Sequence, residues 1–447
     1  MRKSPDLLNA LKEALSGIEV ITEPLQVAKL SQDYHNFSPI LQAKLSDKKG
    51  DLVARVKNEK EVLQVASACV KYKVPLTVRG AGTGNYGQCV PLYGGVILDV
   101  SQMQEIRWIK PGSARVEAGA KLGIIDKKAR EIGWEMRMIP STFRTATIGG
   151  YIAGGSAGSG SVTYGQLCDR GNITALRVVT MEDEPRTLEL RGDDIYKVNH
   201  TWGLTGIITE VEIPLAPAYP WAELIVAFDD FMTAAHFGQA LSDADGIVKK
   251  LVSIHAAPIP SYFAAIKDFI PEGTHCALLS IAEFNLESLQ GLINEYGGKI
   301  CYQKPASEAA KGITLTEFCW NHTTLHARTV EPSLTYLQTL FPPDKSLKLV
   351  EHFYKYFGDE VMMHLEFIRV NGEAIPAALQ LVRYTTEERL NEIIHYHEEQ
   401  GAFIANPHTY IIEDGGRKII APQQLEFKKM VDPYGLLNPG KMRTQGG

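Results

Sequence analysis

The sequence predicts a mixed α+β protein, and three observations carry that prediction. A strand–helix–strand unit opens the ordered chain between Asp51 and Val78. Glycine-rich stretches follow strand-like runs in the first half. After a proline-rich stretch, Pro214-Leu215-Ala216-Pro217-Ala218-Tyr219-Pro220, the pattern changes to alternating strands with helices between them. The 447 residues leave room for two to four domains.

Residues 5–16 read as a short helix with Leu7, Leu8, Leu11 and Leu15 on one face. Asp51–Val56 is a strand. Asn58 with Glu61 three residues on forms a capping pair, and the helix behind it places Val62, Val65, Ala66 and Cys69 at core spacing. Val74–Val78 is the second strand, and a right-handed crossover between the two is expected. That strand breaks into Arg79-Gly80-Ala81-Gly82-Thr83-Gly84-Asn85. Glycines at alternate positions strip one turn of side chains, so that backbone N–H groups can wrap an oxyanion, with Arg79 available to neutralise it. A phosphate or pyrophosphate suits such a loop. No helical pattern follows it; Val96–Val100 is instead another strand, which argues against a nicotinamide-type dinucleotide fold. A Gly-Lys-Ser/Thr ending is absent, so a Walker loop is excluded. The competing reading is a glycine-rich hairpin without ligand.

A second stretch, from Pro140, contains Thr147-Ile148-Gly149-Gly150 and then Ala153-Gly154-Gly155-Ser156-Ala157-Gly158. So many small residues suit backbone lying against a large planar group. Between these stretches, Val116–Ala120 is a strand and Leu122–Ile132 a helix; Asn172–Thr180 and Pro185–Leu190 are strands about a turn. A third zone, Gly203-Leu204-Thr205-Gly206-Ile207-Ile208, runs from a tight turn into a strand.

The order RGAGTGNYGQ, PST…TIGGYIAGG…YG and GLTGIITEVEIPL resembles the FAD-binding domain of the vanillyl-alcohol oxidase superfamily, and within it the glycolate oxidase/D-lactate dehydrogenase branch most. The stretch Asp432-Pro433-Tyr434-Gly435-Leu436-Leu437-Asn438-Pro439-Gly440-Lys441 is similar to that branch's C-terminal signature. The resemblance covers roughly residues 50–215 and the last 25 or so. It implies an α+β fold: a PCMH-type FAD-binding domain of two α/β subdomains plus a cap domain with an antiparallel sheet and helices. The expected division is 1–217, 218–400 and a return over 401–447. The resemblance assigns the cofactor to Arg79, Gly80, Ala81, Gly82, Thr83, Gly84, Asn85, Pro140, Thr147, Gly149, Gly150, Ala153, Gly154, Ser156, Ile207, Ile208 and Asn438. Some members tether the flavin through a His where this chain has Thr83, or a Cys where it has Thr145, so FAD is expected to be non-covalent. The branch's Gly-His-x-Gly-Asp-Gly-Asn-x-His segment is absent, which puts a metal-dependent 2-hydroxy acid dehydrogenase in doubt.

The cap region holds the candidate chemistry: His322, His364, Glu366 and His408. His322 and His326 stand at i and i+4 on one helix face, a spacing able to chelate a metal, but no third ligand is apparent and no metal is expected. Arg328 nearby suits a substrate carboxylate, or else water. Met363–Arg369 alternates as a half-buried strand, with His364 and Glu366 on one face able to bind and deprotonate a hydroxyl; the bland alternative is a solvated face. His408 lies in a loop, Asn406–Tyr410, read as leading into a strand. His395-Tyr396-His397 reads as solvated.

Net charge of −6 and the lack of a basic stripe argue against a nucleic-acid partner. The six cysteines form no short-range cluster, and neither a signal peptide nor an 18-residue apolar run is present; a cytoplasmic protein with reduced thiols is expected. The expected activity is FAD-dependent hydride transfer from a small hydroxylated substrate: a hydroxy acid, sugar derivative or alcohol. The alternative is a flavoprotein subunit of an electron-transfer complex. A homo-oligomer or a partner subunit is the expected protein contact.

Overall fold

The chain builds two sheets in its first half and a large sheet with a small three-stranded one in its second, as seen in a computed structural model that describes residues 5–155, 157–309, 311–416 and 420–443. Ser156, one of the expected cofactor residues, lies outside the described residues.

The first sheet has the strand order Glu19–Ile21, Leu52–Arg55, Val96–Asp99, Leu76–Arg79. Leu52–Arg55 and Leu76–Arg79 both run parallel to Val96–Asp99, which lies between them. The helix Glu59–Lys71 makes the crossover. Its cap is the one the sequence predicts: Asn58 accepts from the Glu61 N–H at 3.1 Å. Val62, Val65, Ala66 and Cys69 are all fully buried against the sheet.

The second sheet is antiparallel, in the order Ile106–Lys110, Ser113–Glu117, Ile207–Pro217, Ala175–Val179, Thr187–Arg191, and Trp134–Met136 pairs with the far end of Ile207–Pro217. The proline-rich stretch does not interrupt the strand: Pro214 and Pro217 are both inside it, paired opposite Ser113 and Trp134. Proline costs a strand only the bond its own N–H would donate, which a position facing away from the ladder does not need. The chain changes sheets just beyond, and Trp221–Phe228 begins the third.

That third sheet has eight antiparallel strands, in the order Lys299–Lys304, Trp221–Phe228, His275–Ala282, Lys249–His255, His364–Val370, Glu373–Ala378, Thr339–Leu340, Phe403–Ile404. Helices Phe231–Asp243, Leu286–Glu295, Ser346–Phe357 and Glu387–Glu399 pack on it around Phe237, Phe353 and Phe367. His397 is buried, not solvated, stacked on Phe353 at 4.1 Å and Phe357 at 5.1 Å. The C-terminal stretch returns to the first sheet, where Leu76 N–H donates to Leu436 O and Asn438 N–H to Leu76 O. No helix among the described residues is long and apolar enough to cross a membrane.

Candidate cofactor and substrate cleft

The first glycine-rich loop leaves the strand Leu76–Arg79 without entering a helix, as the sequence predicts. Gly82 has φ +67°, a conformation that costs glycine nothing. The second stretch departs from expectation in one respect: Ile148–Gly154 forms a short helix, not a flat backbone run. The two stretches touch. A Cβ on Gly80 would stand 2.1 Å from Thr147 Oγ1, so only a bare Cα fits there.

Together they form one wall of a cleft of about 570 Å³, well within the range of small-molecule sites. Of the expected cofactor residues, Gly80 to Asn85, Pro140, Thr147, Gly149, Gly150, Ala153, Gly154 and Ile208 line it. Arg79, Ile207 and Asn438 are not among the lining residues. Arg79 lies behind the loop, donating to Gln32 O at 2.5 Å and Ala81 O at 3.2 Å. Ile207 is fully buried in the core beneath. The Asn438 amide ties two loops together, donating to Gln88 O at 2.9 Å and Trp202 O at 2.8 Å. Lys441 adds a fully buried amine there, hydrogen-bonded to Gly87 O and pushed down to about 8 by burial. Thr83 and Thr145 both line the cleft.

The opposite wall comes from the third sheet and its helices: Trp320, Asn321, His322 and Leu325; Gln338, Thr339 and Leu340; Ile368; Ala377 to Leu379; Phe403. Tyr86, at the end of the glycine loop, bridges the walls, its hydroxyl 2.6 Å from Gln338 Oε1. Of the four catalytic candidates only His322 reaches this cleft. Burial, with His326 one turn away, holds its imidazole below the ordinary value, so it is neutral at pH 7. His326 gives Nε2 to Glu317 O at 3.0 Å and stacks on Phe318. Among the described residues no group of three or more His, Cys, Asp or Glu converges as a metal site.

The other three candidates are corrected by their surroundings. His364 and Glu366 do share a strand face, but it is the buried one; they are 0% and 1% exposed and stand behind the cleft wall. His408 is locked between Ser38 Oγ at 2.8 Å and Tyr336 O at 2.9 Å, and burial pushes it down to about 4. The loop around it leads into a short helix, Ile412–Gly415, not a strand. Arg328 gives a guanidinium N–H to Leu334 O and lies over Phe37, outside the lining. Sequence reasoning missed Trp320, Asn321, Gln338 and the pair His200 and Trp202. Those last two adjoin the third glycine zone and take positive φ, 56° and 53°; no sequence signal marked Gln338.

Does FAD fit? Among the described residues eleven glycines line the cleft, and buried polar atoms on its lining lack protein partners: Thr147 Oγ1, Tyr151 Oη, Trp202 Nε1 and Asn321 Oδ1. A bare-backbone wall suits a diphosphate and a flat ring, and orphaned polar atoms are what a bound polar ligand would satisfy.

Comparison with known proteins agrees. Residues 50–188 match the sequence family described as FAD binding domain. The chain is 29% identical to the glycolate oxidase subunit GlcD of Escherichia coli (strain K12) over 255 residues, 54% of this chain and 48% of that protein. It is 26% identical to the mitochondrial D-lactate dehydrogenase [cytochrome] of Arabidopsis thaliana over 213 residues, 46% and 37% of the two chains. The match thus spans about half the length of the first relative and less of the second. Among solved structures, 4-ethylphenol oxidase from Gulosibacter chungangensis superposes with a TM-score of 0.72 at 17% identity, covering 98% of this chain and 97% of that one. An alkyldihydroxyacetonephosphate synthase superposes with a TM-score of 0.71 at 15% identity, covering 98% and 86%. The chain shares the fold of these two solved structures, and the cofactor is FAD.

Proposed function

We propose that this FAD-binding protein is an oxidoreductase that removes hydride from a CH–OH group of a small hydroxylated molecule: a hydroxy acid, sugar derivative or alcohol. The observation that carries the reading is the cleft itself, with a glycine-rich wall on one side and a neutral, half-buried imidazole on the other. FAD, when bound, supplies the hydride acceptor. Gly80 to Asn85 would hold its diphosphate, with Arg79 and Lys441 behind the loop offsetting charge; Thr147 to Gly154 and Ile208 would border the ring system.

The chain's own part is proton transfer and positioning. His322 accepts the substrate hydroxyl proton on a ring nitrogen, a role an imidazole held neutral can fill. Asn321 and Gln338 offer amides for the substrate's oxygens. Trp320, Leu340 and Phe403 exclude water. Residues 218–400 act as a cap over a domain formed by 1–217 and 401–447.

The test is direct. The purified chain should be yellow, and acid precipitation should release the colour into the supernatant, because Thr83 and Thr145 offer no tether. A panel of hydroxy acids, sugar derivatives and alcohols should then bleach the flavin anaerobically. A colourless protein that cannot be reconstituted sinks the reading. The Escherichia coli relative is named as a subunit, which favours a second reading in which a partner carries the electrons onward. Copurification of an iron–sulfur protein supports that reading; turnover by the isolated chain with an artificial acceptor counts against it.

A further inference from the structure

Behind the His322 wall lies a closed polar cluster that nothing in the proposed chemistry uses directly. Glu366 Oε1 accepts three hydrogen bonds: from Trp320 N–H at 2.6 Å, from Ser253 Oγ at 2.9 Å and from His364 Nε2 at 2.9 Å. His364 Nδ1 lies 3.2 Å from Leu379 O on its other side. The cluster thereby grips both sides of the substrate wall, since Trp320 and Leu379 each line the cleft. His255 stacks on His364 at 4.4 Å and closes the cluster from below.

The grip falls on a strained corner. Trp320 takes φ +54° and ψ −140°, which a bulky residue adopts only under constraint. It directly precedes the helix Asn321–Val330, whose first two residues, Asn321 and His322, line the cleft. A carboxylate accepting that corner's N–H is well placed to hold it. Burying a carboxylate behind the wall is costly, and its Oε2 has no partner. Such a cost is repaid at a site that needs one fixed geometry.

We propose that Glu366, oriented by His364 and Ser253, is a positioning residue: it clamps the Trp320 corner and so sets His322 and Asn321 in the cleft. The inference rests on the reading of His322 as the base. Its test uses the FAD-loaded protein and the variants E366A, E366Q, H322Q and E366A/H322Q, with three readouts: flavin content, hydrogen exchange of a peptide spanning Cys319–Thr324, and the anaerobic rate of flavin reduction. E366A should leave flavin content unchanged, speed exchange at the corner and slow reduction about 10- to 100-fold, as a misplaced catalytic group does. E366Q keeps an acceptor for Trp320 N–H and should recover to within about 3-fold of the parent. In the H322Q background, adding E366A should cost less than about 3-fold, because both changes disable one device.

Unchanged exchange and unchanged rate in E366A overturn the proposal. So does an E366Q protein as slow as E366A with parental exchange, which would make the charge itself the working part. So does full multiplication of the two single effects. Should H322Q leave the rate unchanged, the functional reading fails, while exchange at the corner in E366A still decides whether the clamp exists. If E366A does not fold, E366D, one methylene shorter, is expected to show the same faster exchange and slower reduction; parental values in E366D overturn the proposal.

Discussion

Two residues decide most of what the cleft can do. Gly80 is the point where the glycine stretches meet, and any Cβ there collides with Thr147. G80V should therefore push the loops apart and weaken FAD binding by at least about tenfold, the effect of some 1.4 kcal/mol of lost contact; flavin-to-protein ratio after gel filtration reads it, and full occupancy refutes it. His322 is the base in the proposed reaction. H322Q should slow flavin reduction by about 10²- to 10⁴-fold with bound flavin unchanged. The acid limb of the pH–rate profile belongs to the same residue. A base works deprotonated, and burial lowers the value at which His322 takes a proton. The rate should thus begin to drop at a pH below the ordinary histidine value. A limb at or above about 6.5 would assign the proton to another group.

Elements place other histidines where they serve stability. His397, on the helix Glu387–Glu399, packs its ring against Phe353 and Phe357 of the helix Ser346–Phe357, and its Nδ1 faces Ile393 O at 2.7 Å. His408 braces Ser38, whose hydroxyl caps the helix Pro39–Leu45. Both are pushed down to about 4 by burial. The sign follows from proton uptake: between pH 6.5 and 4 the unfolded chain binds protons that the folded chain does not, so stability falls as pH falls through that window. Each buried ring contributes on the order of 3 kcal/mol above the window. Unfolding midpoints in urea should decline from pH 7 to pH 4.5, and H397F, which keeps the packing without a titrating group, should flatten part of the slope. An unchanged slope in that variant would clear His397 of the role.

Across the whole molecule, the cleft runs between the glycine loops of the first half and the edge strands of the eight-stranded sheet, with Tyr86 joining the two sides. Among the described lining residues there is no Arg or Lys on the substrate side; Arg328 and Arg144 are spent on Leu334 O and on Glu317. Arg and Lys are the residues that recognise a carboxylate most strongly. A neutral alcohol should therefore outpace the matching 2-hydroxy acid in kcat/KM by about tenfold or more, worth roughly one charge-assisted hydrogen bond. A pair such as benzyl alcohol and mandelate, compared by anaerobic flavin reduction, provides the measurement, and faster reduction by the acid contradicts it.

The sequence by itself determined the local features: the βαβ unit with its Asn58 cap, the helix-free glycine turn after Arg79 and the small-residue stretch after Thr147. These depend on backbone freedom and on side chains three or four positions apart, which linear order records. Only the tertiary structure decided which of the candidate histidines faces the cleft. His364 and Glu366 alternate with Leu365 and Phe367 as any half-buried strand would, and nothing in that alternation says that Ser253 and the Trp320 backbone close on Glu366 and bury it. The same holds for His397, whose polar helix gave no sign of Phe353 and Phe357 waiting on another element. Burial is a property of what packs against a residue, and the partner here lies tens of residues away in the chain.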